Sequence, residues 1–135
     1  MSDFSLKYNP EDVKITSHLT RGEVECNCGC KFGLDNGDFD IKTARLFETI
    51  RAIVGLPITI NSGCRCPVWN KHEGGSKGSK HMQGIALDLV CPVGFDYETF
   101  YRICNSSNPN GGVGKYPNNN FVHIDTRGER QRWNG

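Results

Sequence analysis

The chain has 135 residues, 16 basic against 15 acidic, a formal net charge of +1, and 36% hydrophobic residues. That is enough for one domain with a substantial core, here taken as residues 1–135 with 1–20 as a peripheral N-terminal segment. No block of like charge favours nucleic acid or an acidic membrane surface as partner, and every apolar run falls well short of the ~20 residues of a bilayer span.

The opening, MSDFSLKYNPED, has neither a basic n-region nor an apolar h-region, so no Sec-type signal peptide is expected and the protein is made in a cytoplasm. Residues 1–20 are polar with little periodicity, and no element is assigned to them. Five of the seven cysteines then lie in two clusters, Cys26, Cys28 and Cys30 in ECNCGC and Cys64 and Cys66 in CRCP. An odd number cannot all pair within the chain, and a reducing compartment argues against a disulfide framework. Cys-x-Cys spacing can ligate zinc, although common ribbons use Cys-x-x-Cys. Reduced thiols packed as small apolar groups and a small structural metal or redox bridge both remain open.

Asp40 to Val54 places Ile41, Ala44, Phe47, Ile50 and Val54 near helical spacing, stopped by Gly55 and Pro57. Pro57–Asn61 reads as a short strand. From Ser62 to Lys80 the chain reads as one long polar, glycine-rich loop, a length that is usually functional. Ile85–Val90 is the next strand. Asp96 to Cys104 is a capped helix with Tyr97, Phe100, Tyr101 and Cys104 on one stripe. After the turn-rich NSSNPNGG, strands Gly112–Tyr116 and Phe121–Thr126 form a hairpin across PNNN. The expected class is α+β, a mainly antiparallel sheet with helices packed on one side.

Asp88 interrupts the apolar run IALDLV, and a buried carboxylate needs a partner or a metal. Strand alternation puts Phe121, His123 and Asp125 on one face of their strand, and Ala86, Asp88 and Val90 on one face of theirs. If these strands are neighbours, Asp88 meets His123. His81 lies just upstream, with Gly84 allowing a turn between. Two imidazoles and one carboxylate make a three-ligand zinc set with an open fourth position. The same residues would also serve as an ordinary hydrogen-bonded cluster, and spacing alone does not separate the two.

SKHMQGIALD resembles the Ser-x-His-x-x-Gly-x-Ala-x-Asp motif of the zinc D-alanyl-D-alanine carboxypeptidase family, whose core fold is shared with lysostaphin-type endopeptidases and the hedgehog signalling domain. INSGCRCPVWN, the Gly74–Gly75 pair, GGVGKYP, FVHIDTRG and Trp133 extend the similarity over roughly residues 24–133. The resemblance implies Zn2+ held by His81, Asp88 and His123, with Arg65 beside the terminal carboxylate of a peptidoglycan stem peptide. It also implies that Ser79 orients the loop or His81, and that Asn70 shapes the long loop.

The proton-transfer group departs from the family pattern, because Asn120 and Phe121 stand where relatives carry an acid or a second histidine. Asp125 is the expected substitute, with orientation of His123 as its other possible role, and His72 and Glu73 as further candidates. On the first role, Asp125→Ala would keep zinc and lose most turnover. The implied function is hydrolysis of an amide near D-alanine, as carboxypeptidase or endopeptidase. The enzyme is expected to act as a monomer, without nucleic acid or membrane insertion, and to reach the wall through a holin or in a virion. A zinc-containing but inactive binding module on the same fold is the alternative. A cysteine-based nucleic-acid-binding zinc ribbon is disfavoured by the balanced charge.

Overall fold

A computed structural model describes residues 9–135. The signal-peptide reading and the reading of 1–20 as peripheral fall partly on residues 1–8, outside the described residues. From Asn9 onward the chain forms two short antiparallel strands, β1 (Lys14–Thr16) and β2 (Leu19–Thr20), and a one-turn helix α1 (Arg21–Val24). A reciprocal cap starts α1: the Thr20 hydroxyl accepts from the Glu23 N–H, and the Glu23 carboxylate accepts from the Thr20 N–H. Leu19 and Val24 are fully buried, so this segment is tied into the core.

Helix α2 (Ile41–Val54) is capped by Asp40, whose carboxylate accepts from the Thr43 N–H, and ends at Gly55 in the left-handed region at φ 75°. The remaining elements are β3 (Ile60–Ser62), α3 (Pro67–His72), β4 (Ala86–Val90), α4 (Tyr97–Ser107), β5 (Gly112–Tyr116), β6 (Phe121–Asp125) and β7 (Gln131–Asn134). The main sheet runs β3-β4-β6-β5-β7, antiparallel except for the parallel β5–β7 edge. Leu87 and Leu89 of β4, Val122 and Ile124 of β6 and Val113 of β5 face Phe47 and Ile50 of α2 and Phe100 of α4 in one buried cluster. Each such side chain contributes about 1.5–3 kcal/mol. The aliphatic faces read from strand alternation are thus the core faces, in an α+β fold.

Several boundaries differ from the expectation. The strand after α2 starts at Ile60, not Pro57; Pro57 has no N–H to give a ladder, and the register with β4 begins only at Ile60 against Leu89. The stretch 62–80 is not all loop: α3 begins there with Pro67 in its first turn, where the missing N–H costs nothing. Helix α4 continues past Cys104 to Ser107, with the Ser106 hydroxyl bonding back to the Arg102 carbonyl. Strand β7 was not expected from its polar sequence. It is held by Arg132, which donates to the carbonyls of Gly111, Asn105 and Asn108.

Candidate metal centre and its cleft

Asp88 sits mid-way along β4, paired in register with His123 of β6 on one side and Ser62 of β3 on the other. His81 enters from the 3-10 turn Lys80–Gln83, opened by Ser79, whose hydroxyl accepts from the His81 N–H at 3.3 Å. Gly84 ends that turn at φ 69°, and a Cβ there would collide with the Asp38 carbonyl. His81 Nε2 and His123 Nδ1 approach Asp88 Oδ1 to 3.1 and 3.0 Å. The three donor atoms lie within 4.8 Å of one another, and all three residues are buried.

The outer ring nitrogens fix the tautomers. His81 Nδ1 lies 2.6 Å from the Gly63 carbonyl, which only accepts, so that nitrogen carries a proton. His123 Nε2 lies 2.7 Å from Asp125 Oδ2. Asp125 also accepts from Arg127 Nε at 2.8 Å, Arg127 Nη2 at 2.7 Å, the Arg127 N–H and the Gly112 N–H. Those donors keep it ionised, and the second imidazole is therefore protonated on its outer side too. With neutral rings, two inward lone pairs face a carboxylate, which calls for a cation between them. The donor set thus fits a divalent metal.

Without a cation between them, the same groups shift one another's titration. Burial pushes the Asp88 carboxyl up, but His81 and His123, by charge and hydrogen bonds, outweigh it and hold it well below the usual carboxylate range. Burial likewise raises Asp125, and the hydrogen bonds from Arg127 and His123 reverse the sign. For His123, burial lowers the pKa, while its hydrogen bonds to the Asp125 and Asp88 carboxylates carry it above the ordinary histidine value.

Arg65 reaches the same centre from the segment between β3 and α3. Its Nη2 is 3.3 Å from Asp88 Oδ2, its Nε donates to Ser62 Oγ at 3.1 Å, and its Nη1 donates to Asn70 Oδ1 at 3.1 Å. Asn70 is buried and also donates to the Ser76 carbonyl at 2.9 Å, so it joins Arg65 to the far side of the loop. Gly75 packs directly on this pair, leaving no space for a Cβ.

A cleft of about 560 Å³ opens over the centre, with Arg65, Glu73, Ser79, Tyr116, Phe121 and Trp133 among its walls. The Trp133 ring lies 5.0 Å from that of His123, under the Arg127 guanidinium at 5.1 Å, and its Nε1 donates to the Tyr116 hydroxyl at 2.8 Å. Phe121 stacks on Tyr116, with ring centroids 4.6 Å apart. His72 stacks on Trp69 at 4.6 Å and lies 3.4 Å from Glu73.

The sequence reading missed Arg127, Tyr116 and the two β5 glycines. A Cβ on Gly112 would enter the Asp125 carboxylate, and one on Gly114 would enter the Trp133 indole. The alternation of Gly112 and Gly114 on one strand face was the available signal. Of the cysteines, Cys26, Cys28, Cys30 and Cys66 come together, while Cys64, Cys91 and Cys104 are buried elsewhere. Burial lifts the Cys64 thiol to about 12, and the Trp69 N–H brings Cys66 down to about 7.

Among the described residues, no helix is long and apolar enough to cross a membrane. No curated protein matches the chain. A family description does: the sequence pattern described as Peptidase M15 covers residues 17–125, from the turn before β2 to the end of β6. It spans His81, Asp88, His123 and Asp125, and the chain belongs to the peptidase M15 family.

Proposed function

We propose that this chain is a zinc-dependent peptidase that cleaves an amide bond near D-alanine in peptidoglycan stem peptides. The observation that carries the reading is the convergence of His81 Nε2, His123 Nδ1 and an Asp88 oxygen with both outer imidazole protons already committed to Gly63 and Asp125. Bound by these three residues, zinc would supply a Lewis acid for the scissile carbonyl and lower the pKa of water toward about 7. Arg65 still has guanidinium protons to offer beyond those given to Ser62, Asn70 and Asp88. It would grip a free terminal carboxylate, which favours carboxypeptidase action.

Asp125 suits orientation of His123 better than proton transfer. It is fully buried and saturated by Arg127, Gly112 and His123. Proton transfer is then assigned to Glu73, a half-exposed carboxylate on the cleft wall. Trp133 and Tyr116 also line the cleft.

A non-catalytic zinc-containing binding module is the second reading, favoured by Phe121 in place of a second histidine. Release of D-alanine from a synthetic stem pentapeptide, abolished by chelator and restored by zinc, supports the peptidase. A metal-loaded, folded chain that releases no amino acid from pentapeptide or cross-linked dimer supports the module.

A further inference from the structure

Outside the cleft, where the loop after α1 meets the start of α3, four thiols converge. The sulfurs of Cys26, Cys28, Cys30 and Cys66 all lie within 4.8 Å of one another. Cys26 and Cys28 sulfurs are 3.5 Å apart, and those of Cys28 and Cys66 are 3.6 Å apart, although 38 positions separate the latter pair in the chain.

Packing does not account for this. Cys28 and Cys30 are exposed, so they fill no core space, unlike Cys91 and Cys104. A tetrahedral zinc tetrathiolate has bonds of ~2.3 Å and hence sulfur–sulfur edges of about 3.8 Å, close to the separations seen here.

We infer that Cys26, Cys28, Cys30 and Cys66 form a second, structural zinc site, a closed tetrathiolate separate from the cleft. Four protein ligands leave no position for substrate, in contrast to the three-ligand centre. The backbone is shaped for it. Gly29 and Lys31 both adopt left-handed conformations, at φ 83° and 75°, which coil 26–30 around one point. The Cys66 N–H points at Cys26 Sγ and the Trp69 N–H at Cys66 Sγ, each at 3.4 Å, and such donors offset thiolate charge. On binding, each thiol releases its proton to solvent and gives a sulfur lone pair to the ion, with no redox change. The site would rivet the 26–30 loop to the residue next to Arg65, and so hold the Arg65 wall of the cleft.

The test uses the full chain, reduced, loaded with zinc and freed of excess, with metal counted by mass spectrometry. Wild type is expected to hold about two zinc ions, and His81→Ala and Cys28→Ser/Cys30→Ser about one each. If the cleft reading alone fails, wild type and His81→Ala hold the same thiolate-bound ion, so the two failures are distinguishable. Should the cysteine variant not fold, cobalt(II) replaces zinc in wild type and in His81→Ala. Thiolate-to-cobalt charge-transfer absorption in both supports the site, because the imidazole–carboxylate centre has no sulfur ligand. Reduced His81→Ala that takes up no metal, or cobalt protein without that absorption, overturns it.

Discussion

Asp125→Asn separates the two roles open to that carboxylate. Asp125 Oδ1 faces the Gly112 N–H, the Arg127 N–H and Arg127 Nε, whereas Oδ2 faces Arg127 Nη2 and His123 Nε2. The amide oxygen of asparagine therefore takes the Oδ1 place, and its NH2 turns toward His123. Nε2 must then accept, and the imidazole proton moves to Nδ1, the nitrogen that faces Asp88 at 3.0 Å. A proton now occupies the metal-binding lone pair. Loss of such a supporting group lowers metal affinity about 10–100-fold, or ~1.4–2.8 kcal/mol. Breaking a buried charge pair costs about 3–5 kcal/mol, and the 20% exposure of the Arg127 side chain places this one toward the lower end. The assay is zinc competition against a fluorescent chelator at pH 7.5, with thermal melting of the metal-free protein and turnover measured alongside. Expected is weaker zinc binding with a turnover loss that excess zinc partly restores. Unchanged zinc affinity with collapsed turnover would refute the orientation argument and make Asp125 the proton carrier.

Three other outcomes follow from the same geometry. Glu73→Gln is expected to keep its zinc and lose about 10²–10⁴-fold in kcat; unchanged kcat and an unchanged acid limb in the pH–rate profile remove Glu73 from proton transfer. Arg65→Lys cannot reach Ser62, Asn70, Asp88 and a substrate carboxylate together, so kcat/KM on a free-acid peptide should fall ~10–100-fold, as for loss of a charged hydrogen bond. Wild-type cleavage of the C-terminally amidated peptide at the same rate as the free acid would deny Arg65 that role. Tyr97 donates to the Phe121 carbonyl at 2.7 Å and accepts from the Tyr116 N–H at 2.8 Å, so Tyr97→Phe should cost about 1–3 kcal/mol in denaturant unfolding. Burial pushes its phenol up to about 12, against an unfolded value near 10. The unfolded chain therefore loses the proton first, and the stability due to Tyr97 is complete below pH ~10 and declines as pH rises toward about 12. Tyr97→Phe should narrow its deficit over that window, and a constant deficit would contradict the burial.

What the sequence disclosed was whatever depends on period. The two-residue alternation in IALDLV and FVHID separates core from site before any pairing is known, and the structure sets Leu87 against Ile124 and Asp88 against His123 in the same register. The α2 boundary was equally plain, because Asp40 and Gly55 each have a local reason to be there. Arg127 carries no such period, and the alternation of Gly112 and Gly114 does not by itself say what the two glycines admit. Their meaning comes from β5 lying between β6 and β7, a long-range pairing that places the Trp133 indole where a glycine is needed. The convergence of Cys66 with CNCGC is hidden for the same reason, since it depends on how α3 docks.

Two of the three donors in the cleft, Asp88 and His123, stand on inner strands of the sheet, each flanked by hydrogen-bonded neighbours. They cannot part without unzipping the sheet itself. His81 rides on a short turn, tethered at its ring to one carbonyl, that of Gly63. Of the three donors, His81 is therefore the one whose release disturbs the least structure, and loosening of the site begins at that turn rather than in the sheet.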